Sequence, residues 1–282
     1  MFEASRIEHV IFDVDGTLYD KSIEYKPGRG SIQTAHDFFR FLAWQHLKES
    51  GSADEVALAL VKEYKERAAV AGALSQRVAK IPEDLKSEFL QKVEQHGSNG
   101  KVFVNEFRLD SGYLNGELLQ HIEFGSILPR DPKLRDLFLT LKERGYGLGI
   151  LTTEAYQTVV AVANALGFDL GMFSMPTGDH FPILCSENVK NKKPSPDGFL
   201  RLIDIYKTRD PKAIVYVGDH FGKDVEAALK VGLQAVHVTT GVKDIEYVSV
   251  MVDGTTREYA KIRNICVLEQ ILRRSSKSLS LP

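Results

Sequence analysis

The stretch that most constrains this chain runs from Val10 to Tyr19, Val-Ile-Phe-Asp-Val-Asp-Gly-Thr-Leu-Tyr. Its opening is apolar and β-branched, the composition of a strand buried on both faces of a sheet. It ends abruptly in Asp13, Asp15, Gly16 and Thr17. This predicts a strand that delivers acidic groups to its carboxyl end, the edge at which open α/β sheets bind ligands. Asp and Gly also favour turns for backbone reasons. Two carboxylates so close repel each other, however, and keeping both ionised at the mouth of an apolar strand is costly without a cation or a proton. A hard divalent cation, which prefers oxygen ligands, would neutralise them.

Other strand-like runs follow the same rule. Gly147–Leu151 is apolar and ends in Thr152 and Thr153; Ala213–Val217 ends in Gly218 and Asp219, with Asp224 five residues on; Ile183–Cys185 and Gln234–Val238 complete the set. Between them, Asp131–Arg144 carries Leu134, Leu137, Phe138 and Leu141 at helical spacing, and Tyr156–Leu166 forms a second helical stretch. This βαβ rhythm predicts a parallel sheet with right-handed crossovers. A helix is expected from Val225 to Val231, opened by Asp224 and stopped by Gly232. Asp244–Arg257 lacks a clear period and holds the turn pair Asp253-Gly254, so a surface hairpin or loop is expected there. A short strand at 262–264 and a helix at 267–272 would close the domain.

From Ser31 to about Glu123 the pattern is helical instead. Ser31–Leu47, Ala53–Ala73 and Pro82–Val93 carry apolar stripes, the first preceded by Gly28, Gly30 and a possible N-cap at Ser31. These helices follow one strand and precede the next, which marks an insertion. The basic residues among them, such as His36, Arg40 and Arg67, suit solvated helix faces.

At 282 residues the chain is long for one minimal domain, and a core with a large insertion accommodates it. A formal net charge of -2 gives no signature of a nucleic acid polymer or an anionic membrane as partner. Cys185 and Cys266 lack CxxC spacing and a companion His pattern, which argues against structural zinc or a disulfide framework and for a reducing, cytoplasmic setting. Met1–Arg6 leads into the first strand without the apolar region of a secretory signal, and no apolar run approaches the roughly 20 residues that span a bilayer.

Two further features bear on chemistry. A hydroxyl just past a strand, as at Thr152 or Thr153, is an ordinary N-cap. In Lys193-Pro194-Ser195-Pro196 each proline restricts the residue before it, so the loop is stiff and Lys193 is held better than Lys190 or Lys192. A fixed ammonium can be kept against a phosphate or carboxylate.

Asp13-Val14-Asp15-Gly16-Thr17, Thr152, Lys193 through Phe199 and Gly218-Asp219 with Asp224 resemble, in order, the four motifs of the haloacid dehalogenase-like hydrolase superfamily: DxDGT, a Ser or Thr, KPxPxxF and GDxxxxD. The resemblance implies an α/β fold, a Rossmann-like doubly wound parallel sheet over residues 1–20 and 125–273, an α-helical cap over 21–124 and a flexible tail at 274–282. It implies a Mg²⁺-dependent phosphatase acting on a small phosphorylated metabolite. Asp13 would be the nucleophile that forms an aspartyl-phosphate, and Asp15 the general acid and base. Thr152 and Lys193, with Thr17 and Thr153, would bind the phosphate; Thr17 would chiefly fix the loop and Asp15. Asp13, Asp219 and the main-chain carbonyl of Asp15 would ligate the metal, with Asp224 acting through water or orienting its neighbours. An aspartate at position 15 disfavours dehalogenation.

The run Asp13–Ser22 is also similar to the DxDNTLYxxS form of pyrimidine 5′-nucleotidase-like proteins, with Gly16 in place of Asn, which points to nucleoside monophosphates. Alternatives within the fold are a sugar-phosphate phosphatase or a phosphoglucomutase-like phosphotransferase and, in another class, a non-catalytic binding protein.

Overall fold

The computed structural model describes residues 1–25, 30–49, 51–69, 72–173 and 182–272. Among these, one sheet gathers β1 (His9–Phe12), β2 (Gly147–Leu151), β3 (Ile183–Leu184), β4 (Ile214–Gly218), β5 (Gln234–Val238), β6 (Glu246–Val252) and β7 (Thr255–Ile262). Their spatial order is β3-β2-β1-β4-β5-β7-β6, with every neighbouring pair parallel except β6 and β7. β1 lies between β2 and β4, and Phe12 faces Ile150 on one side and Val217 on the other. The chain winds outward from β1 to β3 and then returns to β4. That reversal opens a crevice beyond the carboxyl ends of β1 and β4.

Successive residues of β1 point to opposite faces of the sheet, and each face has its own apolar layer. Ile11 belongs to a buried cluster with Leu151, Phe199, Leu202, Tyr216 and Val225. Phe12 stacks edge-on against Phe138 at 5.2 Å, and Phe138 meets Phe168 and Phe173 at 5.1 Å each. Burying each such side chain stabilises the fold by roughly 1.5–3 kcal/mol.

By contacts, the described residues fall into two units: one from Met1–Asp20, Asp131–Val159 and Gly167 onward, the other from Lys21–Arg130 and Val160–Leu166. The second unit is built of α1 (Ile32–Lys48), α2 (Ala53–Ala68), α3 (Ala73–Ala79), α4 (Glu83–His96), α5 (Asn99–Phe107) and the short α6 (Phe124–Ile127). Serine starts three of these helices: the side chains of Ser31, Ser52 and Ser98 accept from the amides of Thr34, Glu55 and Lys101. The core of this unit is aromatic, with Phe39 against Tyr64 at 4.9 Å and Trp44 between Phe89 at 5.6 Å and Phe107 at 5.4 Å.

The remaining helices are α7 (Pro132–Glu143), α8 (Tyr156–Leu166), α9 (Asp197–Ile205), α10 (Ala227–Lys230) and α11 (Leu268–Ile271). Asp131 caps α7 ahead of Pro132, so the chain turns sharply before β2.

Several elements differ from expectation. The Ala53–Ala73 stretch ends at Ala68 and restarts after Gly72, which takes a left-handed φ of 75°. The last strand is β7, ending at Ile262 where a strand at 262–264 is expected to begin. It pairs with β6 through Asp253 and Gly254, whose φ values of 47° and 75° suit a tight hairpin. The helical turn after β4 begins at Phe221, four residues before the expected start at Val225, and is wide (Phe221–Glu226) before α10. Gly28 and the tail at 274–282 lie outside the described residues.

Candidate active site

Three adjacent strands end at one edge of the sheet. β1 delivers Asp13, β2 delivers Thr152 and β4 delivers Asp219, because these residues follow strands in parallel register. Carboxylate oxygens of Asp13, Asp219 and Asp224 lie within 4.8 Å of one another. Asp13 and Asp224 are buried and Asp219 is half-buried.

The early start of the wide turn places Asp224. His220 caps that turn through its ring, and its amide donates to Asp224 Oδ2 at 2.9 Å. Asp224 thus lies in the first turn of a helix, pointing back under the loop, rather than at its entry. A side chain at position 218 would collide with it: a Cβ there would stand 2.6 Å from Asp224 Oδ2, which is why glycine ends β4.

Lys193 reaches this cluster from the Lys-Pro-x-Pro loop. Its ammonium donates to Asp13 Oδ1 at 2.9 Å, to Asp224 Oδ1 at 2.6 Å and to the Tyr216 hydroxyl at 2.6 Å. All three ammonium hydrogens therefore have acceptors. Tyr216 in turn donates to the Leu151 carbonyl at 2.6 Å, tying β4 to the end of β2. Lys190 and Lys192 are exposed, so only the proline-restrained lysine enters the cluster.

Burial opposes the charge on Lys193, yet Asp13 and Asp224 beside it hold its pKa above the ordinary lysine value. For Asp13 the balance goes the other way. Burial pushes its carboxyl up to about 7; Lys193 pulls it down, and the neighbouring Asp224 and Asp219 raise it further. With every carboxylate of the trio ionised, the cluster carries two negative charges beyond what Lys193 offsets. A hard divalent cation matches both that surplus and the all-oxygen donor set. Gly16 keeps the space clear: its φ is 83°, and a Cβ there would overlap the Asp219 carboxylate.

The other residues singled out from the sequence are held as follows. Thr152 is buried; its amide donates to the Leu184 carbonyl at 2.9 Å and its hydroxyl accepts from the Glu154 amide at 3.2 Å. Thr153, next along, is half-buried. Thr17 steadies the loop through its amide, 3.2 Å from the Val14 carbonyl, while its buried hydroxyl has no hydrogen-bond partner among the described residues. Asp15 Oδ1 accepts from the Tyr19 hydroxyl. Tyr19 stands in the DxDNTLYxxS likeness, but the bond from its hydroxyl to Asp15 could not be read from the motif.

Two other contacts escape a sequence reading. His237 on β5 hydrogen-bonds through Nε2 to the Asp219 carbonyl at 2.9 Å. A carbonyl only accepts, so Nε2 carries the proton, and the ring steadies the main chain of Asp219. Tyr216, mid-strand and apolar by position, supplies an acceptor to Lys193.

Known proteins resemble this chain in sequence and in fold. A phosphoglycolate phosphatase of Synechococcus elongatus is 32% identical over 139 residues, covering 48% of this chain and 59% of that protein. The chain thus spans somewhat more than half the length of that relative. In fold, a haloacid dehalogenase-type phosphatase of Thermococcus onnurineus superposes with a TM-score of 0.54 at 21% identity, over 94% of this chain and 98% of that one. A hydrolase of the same type from Bacillus subtilis, bound to magnesium, gives 0.51 at 16% identity, over 95% and 99%. Residues 7–232 match the haloacid dehalogenase-like hydrolase family. With the sheet order and the acidic trio at its switch point, the chain belongs to the haloacid dehalogenase-like hydrolases.

Proposed function

We propose that the protein is a Mg²⁺-dependent phosphomonoester hydrolase working through an aspartyl-phosphate on Asp13. The observation that carries this reading is the buried Lys193 shared between Asp13 and Asp224, with Asp219 in the same group of carboxylates. Asp13 and Asp219 would hold the ion with the main-chain carbonyl of Asp15, and Asp224 would orient Lys193 and the loop. When bound, Mg²⁺ supplies positive charge that offsets repulsion between a phosphate dianion and a carboxylate nucleophile.

The chain's own groups do the rest. An Asp13 oxygen attacks phosphorus in line as the bond to the leaving oxygen breaks. Asp15 gives its proton to that oxygen, then takes one from the water that attacks the aspartyl-phosphate and frees Asp13. Lys193, Thr152, Thr17, Thr153 and nearby amides bind the phosphoryl oxygens. Asp13 is prepared for attack by having Lys193 fix one oxygen.

For the substrate, the likeness of Asp13–Ser22 to the nucleotidase form favours nucleoside 5′-monophosphates, while the Synechococcus relative favours a short phosphorylated hydroxy acid. We assign the choice to the helical unit, inserted in the chain after the first motif, and read it as a cap. We place the reaction in the cytoplasm, where Cys185 and Cys266, both free, would stay reduced. Among the described residues no helix is long and apolar enough to cross a membrane.

The test is a panel of phosphomonoesters with Mg²⁺: nucleoside monophosphates, 2-phosphoglycolate, sugar phosphates and p-nitrophenyl phosphate. Phosphate release is expected, with Asp13→Asn slower by about 10³-fold or more. Silence across the panel would favour a binding protein, and conversion of a sugar 1-phosphate to its isomer without phosphate release would favour a phosphotransferase.

A further inference from the structure

We propose that Tyr216 is a positioning residue for Lys193: its buried hydroxyl moors the ammonium to the end of β2, so that the lysine keeps its place while Asp13 changes its bonding. This rests on the reading of Asp13 as the nucleophile with Lys193 as its partner.

Tyr216 stands mid-strand in β4, between Ile11 of β1 and Ala235 of β5, and is fully buried. Its ring packs edge-on against Phe199 at 5.0 Å, in the same apolar cluster as Ile11, Leu151 and Leu202. Phenylalanine would fill nearly the same volume there, and burying a hydroxyl costs roughly 1–3 kcal/mol unless it is hydrogen-bonded. This hydroxyl is used twice: it donates to the Leu151 carbonyl and accepts from Lys193 Nζ, each at 2.6 Å. Asp224 stands within reach of it as well. Leu151 is the last residue of β2, so the hydroxyl is fixed from two strands.

A lysine has a flexible stem, and its tip is held only by what the tip touches. Of the three acceptors of Lys193, Asp13 and Asp224 are carboxylates and Tyr216 is a neutral hydroxyl. In the reaction as read, an Asp13 oxygen bonds to phosphorus, the bond from phosphorus to the leaving oxygen breaks, and the carboxylate becomes an uncharged acyl group. Its pull on the ammonium falls at that step. Asp224 and Tyr216 are then what hold Lys193 beside the phosphoryl group. Tyr216 does so without neutralising the ammonium, which stays attractive to phosphoryl oxygens. With phenylalanine at 216 one ammonium hydrogen loses its acceptor, and the stem is free to swing toward the remaining carboxylate. Displacement of a reacting group by an ångström or so costs on the order of 10²-fold in rate.

The test sets turnover against binding. In the full-length chain with Mg²⁺ and the panel ester that is turned over fastest, Tyr216→Phe is expected to lower kcat per folded molecule by roughly 10- to 100-fold. The inhibition constant of orthophosphate and the calorimetric Mg²⁺ affinity should each stay within about 3-fold, since every charge of the site is retained. The effect should also run through the lysine. In a Lys193→Met background, followed under single turnover, adding Tyr216→Phe should change the rate by less than about 2-fold. An unchanged kcat, or a loss of the same size with and without Lys193, overturns the role of Tyr216 while leaving the phosphatase reading intact. So does a weakening of phosphate and Mg²⁺ binding that matches the loss in kcat, the mark of a general collapse of the site. Should Lys193→Met be too slow to follow, the split between turnover and binding in Tyr216→Phe alone decides. Wild-type protein inert toward every ester overturns both readings.

Discussion

Asp13 is the residue at which charge, burial and chemistry meet, and its protonation should be visible in stability. Its carboxyl is pushed from an ordinary 3.8 up to about 7, first by burial. The folded protein therefore holds this proton more tightly than the unfolded chain does. The associated stability is present in full below about pH 4 and is lost as pH rises through about 7, since the ionised form is disfavoured only in the folded state. In EDTA, the melting temperature of wild-type protein relative to Asp13→Asn should fall between pH 4 and 7 and level off above. Saturating Mg²⁺ should remove most of that slope, because the ion takes the place of the proton. A difference between the two proteins that does not change with pH in EDTA would show that burial does not govern Asp13. At this scale the sequence was informative: Asp13, Thr152, Asp219 and Asp224 stand at or just beyond strand ends and Lys193 opens a stiff loop, and the resemblance to four motifs in order singled them out. Tyr19, Tyr216 and His237 were not legible, because their polar tips matter only through partners in other turns or strands.

The strands that carry the site were readable because a strand buried on both faces leaves an unbroken apolar run, as in β1 and β4. The hairpin at the far edge was legible in its turn, Asp253-Gly254, but its strands were not. Val248, Val250 and Val252 do alternate along β6, but Tyr247 and Met251 on the other face are exposed and apolar, at 55% and 65%, which blurs the period. What fixes the register of β6 against β7 is the turn. Asp253 and Gly254 both have positive φ, at 47° and 75°, the geometry of a two-residue hairpin loop. Only Gly254 takes it without a Cβ penalty. Gly254→Ala should thus destabilise the protein by about 1–2 kcal/mol, with open space around the added methyl group ruling out a steric cause. Urea titration measures this directly. Because β5 separates β7 from β4, the nearest strand that leads to a site residue, and Gly254 lies in the turn beyond β7, phosphatase activity per folded molecule should be unchanged. A drop in that specific activity would mean that the edge hairpin contributes to the site.

For the molecule as a whole, the division into two units makes a claim that one ligand and one fluorophore can test. Asp13, Asp15, Asp219 and Asp224 all belong to the unit that contains the sheet. The single tryptophan, Trp44, is 2% exposed in the aromatic core of the helical unit. A ligand that binds only the folded state stabilises it by RT ln(1 + [L]/Kd), about 2.7 kcal/mol at one hundred times Kd. Mg²⁺ at that level should raise the far-ultraviolet circular dichroism midpoint by roughly 5–10 °C. The tryptophan fluorescence midpoint should move less, since the linkage acts on the unit that holds the ligands and not on the packing around Trp44. Equal movement of both midpoints would show that the two units unfold as one cooperative body. Neither midpoint moving would place the ion elsewhere, and Asp219→Asn supplies the control, because it removes a ligand without touching either core.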